Sequence, residues 1–120
     1  MSKTVLVVDD EPLIVEELQD AIEYEGMEVT TAGSAMEALT ILETQSFDMI
    51  VTDLKLPNMS GLDFLAELKK RGTKSKAIVL SGHGAQSSKS EAKALGAIAC
   101  FAKPVDTDEL IRKIRLTRSV

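Results

Sequence analysis

"VLVVDDE", residues 5–11, decides how the rest of the chain reads. Four apolar, mostly β-branched residues run directly into three carboxylates, Asp9, Asp10 and Glu11. A short strand without polar alternation is the pattern of a parallel sheet covered on both faces. A block of like charge at its end repels itself and needs a reason to be there. Further apolar runs recur at 48–52 (DMIVT), 77–80 (AIVL) and 97–102 (AIACFA), with a weaker one at 27–31 (MEVTT). Each is followed by a stretch with helical spacing. Five strands alternating with five helices predict an α/β fold: a five-stranded parallel sheet with helices on both faces. Right-handed crossovers leave few windings, and the flavodoxin-like order 2-1-3-4-5 is the expected one. One domain spanning 1–120 accommodates this.

The helices carry their own punctuation. Pro12 suits a first helical position, Ile14, Leu18, Ala21 and Ile22 share a face, and Gly26 is a stop. Ser34 with Glu37 reads as a capping box ahead of Ala38, Leu39 and Leu42. Ser60 caps a third helix holding Leu62, Leu65 and Leu68, ended by Gly72. Asp106 with Glu109 starts the last, with Leu110, Ile111 and Ile114 inward. Its bases Arg112, Lys113 and Arg115 sit where the helix dipole favours them. The stretch 85–95 is the weakest helix, rich in serine with mostly alanine on its apolar side.

Composition narrows the function. The chain has 120 residues, 44 % of them apolar, and a net charge of −5, which disfavours direct nucleic-acid binding. Residues 1–60 hold 13 acids and 2 bases, a balance of −11, while residues 61–120 hold 6 and 12, a balance of +6. Either two solvated faces differ in sign, or one site collects acids from the first half and bases from the second. The single cysteine, Cys100, allows no internal disulfide. With no signal peptide or membrane-length apolar run, a cytoplasmic protein is expected.

In a sheet wound 2-1-3-4-5, ligands sit at the carboxyl ends of the strands near the switch point between strands 1 and 3. Asp9 and Asp10 end the first strand, Asp53 the third, Ser81 the fourth and Lys103 the fifth. Asp9 and Asp10 alone would suit a helix cap. Three converging carboxylates, however, cannot all stay ionised unless something neutralises them, and Mg²⁺ is a hard cation suited to oxygen ligands. A carboxylate can also attack phosphorus and form an aspartyl-phosphate, which makes Asp53 a candidate nucleophile. The metal, the Ser81 hydroxyl, the Lys103 ammonium and backbone N–H groups would then stabilise the phosphoryl oxygens.

Over essentially its whole length the chain resembles the receiver domain of two-component response regulators, the CheY-like fold. The resemblance rests on "VDDE" at 8–11, "DLKLPNMSG" at 53–61, "LSGHG" at 80–84 and "KP" at 103–104, in that order. It implies that Asp53 accepts phosphate from a histidine kinase or a histidine phosphotransfer protein. It implies that Asp10 binds Mg²⁺ directly, Asp9 through water, and Lys55 through its main-chain carbonyl. Ser81 and Lys103 match the family's hydroxyl and phosphate-binding lysine, and Pro57 and Gly61 match the loop after the phosphorylated residue. Lys103–Pro104 is similar to the family's cis peptide. A C-terminal output domain or a separate effector is the implied recipient of the signal, and no membrane is involved.

The sequence departs from the family pattern at one position. The aromatic residue common three places before the lysine is replaced by Cys100, and the ring is at Phe101, which alternation points to the opposite face. Cys100 reads as a small core residue and His83, the lone histidine, as a loop residue. Rival readings are weaker. An aspartate-nucleophile phosphatase of the haloacid-dehalogenase class would use Asp9-x-Glu11 and a covering insertion, for which 120 residues leave no room. A flavodoxin-type carrier wants hydroxyls where this chain has acids. A phosphorylation-independent docking module would have no use for the full acidic set.

Overall fold

The computed structural model describes residues 3–82 and 86–117, so His83 lies outside the described residues. The chain alternates β1 (Thr4–Val8), α1 (Pro12–Tyr24), β2 (Glu28–Ala32), α2 (Ala35–Leu42), β3 (Met49–Asp53), α3 (Gly61–Lys70), β4 (Lys76–Ser81), α4 (Gln86–Ala94), β5 (Ala97–Ala102) and α5 (Thr107–Leu116). The five strands form one sheet in the order β2-β1-β3-β4-β5, and all four neighbouring pairs are parallel.

Strand alternation divides the core in two. Val5, Val7, Met49, Val51, Ile78 and Leu80 face Leu18 and Ile22 of α1 and Leu110, Ile111 and Ile114 of α5. Leu6, Val8, Ile50 and Val79 face Ala38 and Leu39 of α2, Phe64, Leu65 and Leu68 of α3, and Ala92 of α4. Each large side chain buried this way contributes about 1.5–3 kcal/mol of transfer free energy. The inward face of α3 is centred differently from the expected stripe. Leu62 is only partly buried, and Phe64, which the leucine spacing overlooked, is fully buried.

The punctuation is found with two variations. Ser34 Oγ accepts from Glu37 N at 3.1 Å, but the Glu37 carboxylate reaches back to Gly33 N at 3.2 Å rather than to the cap's own N–H. Ser60 accepts from Asp63 N, and Asp106 from Asp108 N and Glu109 N. At the far end of α5 the carbonyls of Ile114 and Thr117 are capped by Lys3 Nζ, from the other end of the chain, while Arg115 pairs with Glu25. Gly26 and Gly72 stop their helices at φ +85° and +70°. The weak α4 forms because Ala92 is fully buried against the sheet, so packing supplies what propensity does not. Among the described residues, no helix is long and apolar enough to cross a membrane.

Candidate functional site

The winding order brings the carboxyl ends of β1, β3, β4 and β5 to one edge, where a cleft of about 810 Å³ opens. Asp10, Glu11, Asp53, Lys55, Ser81 and Lys103 are among the residues lining it. Carboxylate oxygens of Asp9, Asp10 and Asp53 all lie within 4.8 Å of one another. Asp9 and Asp53 are buried, at 1 % and 4 % exposure, and Asp10 is exposed. The acids are not spent on capping α1, whose N-cap, Glu11, makes no side-chain cap bond.

Lys103 balances the charge. Its ammonium donates to Asp53 Oδ2 at 2.8 Å, Glu11 Oε1 at 3.1 Å and Asp9 Oδ2 at 3.2 Å. Its backbone N–H donates to Ser81 O at 2.8 Å, which ties the end of β5 to β4 and aims the side chain along the edge. The Lys103–Pro104 peptide is cis. Burial works to lower the Lys103 pKa, but bonds and charges from Asp53, Glu11 and Asp9 outweigh it and the net shift is upward. Burial raises the pKa of Asp9; the Glu11 N–H opposes, the Asp53 charge adds, and Lys103 opposes. The charged form of Asp9 is therefore disfavoured even with the lysine in place.

Asp53 is held from its other side by Lys55 N, which donates to Oδ1 at 3.1 Å. That N–H is placed by a folded-back loop. Leu54 N bonds Leu80 O, Asn58 adopts φ 68°, and Gly61 N returns to Leu54 O at 2.8 Å. The return brings the start of α3 onto the backbone of Asp53. A Cβ at Gly61 would lie 2.4 Å from Asp53 O and 2.5 Å from Leu54 Cα. Main chain cannot swing aside as a side-chain tip can. Gly61→Ala is therefore expected to cost about 1–3 kcal/mol through overpacking. It should also move the Lys55 N–H, which amide NMR would register beside the shift in urea midpoint. Unchanged midpoint and spectrum would show that the loop has slack.

Ser81 is buried at the cleft wall, and its hydroxyl pairs with Cys100 Sγ at 3.6 Å. Cys100 packs against the core on the α2–α4 side and Phe101 against the α1–α5 side, as alternation requires. Every residue expected at the strand ends is thus at this edge. The exposed Lys55 meets Asp53 through its backbone N–H. The residue whose part was not foreseen is Glu11. It stood in the opening acidic run, but nothing in a linear sequence says that its carboxylate crosses to Lys103.

Comparison with known proteins identifies the family and the fold. Residues 5–115 match the response regulator receiver domain model. The chain is 32 % identical over 110 residues to sporulation initiation phosphotransferase F of Bacillus subtilis, covering 92 % of this chain and 89 % of that one. It is 35 % identical over 112 residues to the "Probable transcriptional regulatory protein TcrX" of Mycobacterium tuberculosis, covering 93 % of this chain but only 48 % of that protein. It thus spans about half of that relative's length. A CheY-like response regulator receiver domain protein from Methanospirillum hungatei superposes with a TM-score of 0.90 at 32 % identity, over 96 % of this chain and 92 % of the other. By sequence and by fold, the chain belongs to the response regulator receiver family and is a signalling domain of two-component systems.

Proposed function

We propose that the cleft takes up a phosphoryl group on Asp53 in a Mg²⁺-dependent reaction, with a phosphohistidine of a kinase or phosphotransfer protein as donor. The observation that carries this is the convergence of Asp9, Asp10 and Asp53 within 4.8 Å beside the Lys103 ammonium. Three close oxygens of this kind suit a hard divalent cation. Asp10, exposed to the cleft, and Asp53 would hold the ion. Asp9 would act through water, since it is buried behind the cleft and does not line it. The Lys55 carbonyl would complete the protein's share. Bound there, Mg²⁺ supplies positive charge to the phosphoryl oxygens as negative charge builds on them.

The chain's own groups do the rest. An Asp53 carboxylate oxygen attacks phosphorus while the Lys55 N–H and Lys103 hold the group in line. The nitrogen–phosphorus bond breaks and the imidazole leaves with its electron pair. Lys103 then exchanges its carboxylate partner for a phosphoryl oxygen, and the Ser81 hydroxyl donates to another. The same groups allow phosphorylation by a small acyl phosphate and slow self-hydrolysis by water. The receiver spans residues 1–120, works in the cytoplasm, and passes the change to a C-terminal output domain or a separate effector.

Mg²⁺ is expected to raise thermal stability, because a ligand bound only by the native state adds about 2.7 kcal/mol at a hundredfold excess over its dissociation constant. Asp10→Ala should lose most of that gain. A thermal scan in which Mg²⁺ shifts the variant as much as the wild type contradicts the assignment of the ion to these carboxylates.

A further inference from the structure

The Ser81 hydroxyl is buried, and among the described residues its hydrogen-bond partner is a thiol, Cys100 Sγ at 3.6 Å. The two side chains are neighbours because β4 and β5 are in register. Val79 lies beside Cys100 and Ser81 beside Ala102, so residues 79, 81, 100 and 102 share one face. Cys100 is itself packed into the cluster containing Val79 of β4 and Ala92 of α4. The hydroxyl therefore rests on a fixed group at the back of the cleft, and no hydrogen bond joins it to Asp53 among the described residues. Thiols are weak donors and weak acceptors. A buried hydroxyl held this loosely turns away at little cost, whereas an oxygen partner would retain it.

We propose that Cys100 is a positioning residue for Ser81: its thiol holds the hydroxyl in the phosphate-free form, and the weakness of that bond sets how readily the hydroxyl turns to a phosphoryl oxygen. This rests on reading the cleft as a phosphoryl site. It makes the identity of residue 100 a control on labelling rate, because whatever holds the hydroxyl back must be released in the transition state. A group of nearly the same size but stronger bonding should slow the step. A group that cannot bond should speed it.

The test is the labelling rate of the full chain with acetyl phosphate and Mg²⁺, followed by intact-protein mass spectrometry. Cys100→Ser should slow labelling about threefold to tenfold, the ratio expected from a net hydrogen bond of ordinary strength. Cys100→Ala should speed it about twofold, since a thiol bond is weaker still. In a Ser81→Ala background both substitutions should have no effect, because the partner they act through is gone. A role confined to packing would move both variants in the same direction, in step with their thermal stability, and would persist without Ser81. Either of those results, or equal rates in all three forms, overturns the proposal while the phosphoryl site stands. A wild-type chain that takes no label overturns both.

Discussion

Lys103→Met is expected to destabilise the metal-free protein by about 3 kcal/mol at neutral pH, the cost of leaving buried charges without their partner. The side chain is only 18 % exposed, and it bonds two carboxylates that are more deeply buried, Asp9 and Asp53. Methionine fills similar space, so lost packing is small and lost charge is what the experiment reads. The native pKa of Lys103 is raised, so its contribution is complete below the unfolded value and declines only as pH rises through the native one. At neutral pH the whole of it is at stake. Asp9 shifts stability in the same direction, but in the carboxylate range rather than the ammonium range. Its native pKa is raised too, so its charged form costs stability at neutral pH, and that cost is relieved as pH falls through the native value. Removing Lys103 deepens the cost at Asp9. The deficit of Lys103→Met should therefore shrink on acidification toward the carboxylate range, and shrink again at neutral pH when Mg²⁺ is added. Urea unfolding across pH, with and without Mg²⁺, measures all three. Equal midpoints for variant and wild type at neutral pH would show that the ammonium does not balance the acids.

The same electrostatics explain the acidic block that ends β1. A buried strand can finish in like charge when a lysine just past β5, ninety-odd residues away, arrives to meet it, and that meeting is a consequence of strand order. Asp9, Asp10, Asp53, Ser81 and Lys103 could be placed because each directly follows or ends an apolar run, and the winding rule says which ends are neighbours. What stayed hidden depends on side-chain reach and backbone return. The bond from Glu11 to Lys103 is set by rotamers at the mouth of the cleft. The closeness of Gly61 to the Asp53 carbonyl is set by the loop through Asn58. The pairing of Ser81 with Cys100 is diagonal across two strands, and no local pattern reports a diagonal. In the fold, the leucine spacing of α3 marks Leu65 and Leu68 but not Phe64, whose burial depends on how the helix rolls against the sheet. Likewise, the cap on α5 comes from Lys3, which no window over α5 contains.

Asp53→Asn is expected to abolish phosphoryl uptake. Asparagine keeps the size of the side chain and an oxygen for the Lys55 N–H, so the cleft should remain folded. Its amide, however, offers no anionic oxygen to attack phosphorus. Removing one of three crowded negative charges also relieves Asp9, whose pKa the Asp53 charge helps to raise, so the variant should be at least as stable as wild type without metal. Loss of labelling in a protein of undiminished stability would separate chemistry from unfolding. The other acids are poor substitutes. Asp9 is buried and does not line the cleft, and Asp10 is exposed, outside the reach of Lys103 and the Lys55 N–H that hold Asp53.

Intact-protein mass spectrometry of wild type and Asp53→Asn, each incubated with acetyl phosphate and Mg²⁺, decides the matter most directly. The expected result is a single phosphoryl adduct on the wild type, lost when Mg²⁺ is chelated before the donor is added, and none on Asp53→Asn. An adduct of equal yield on both proteins would contradict it.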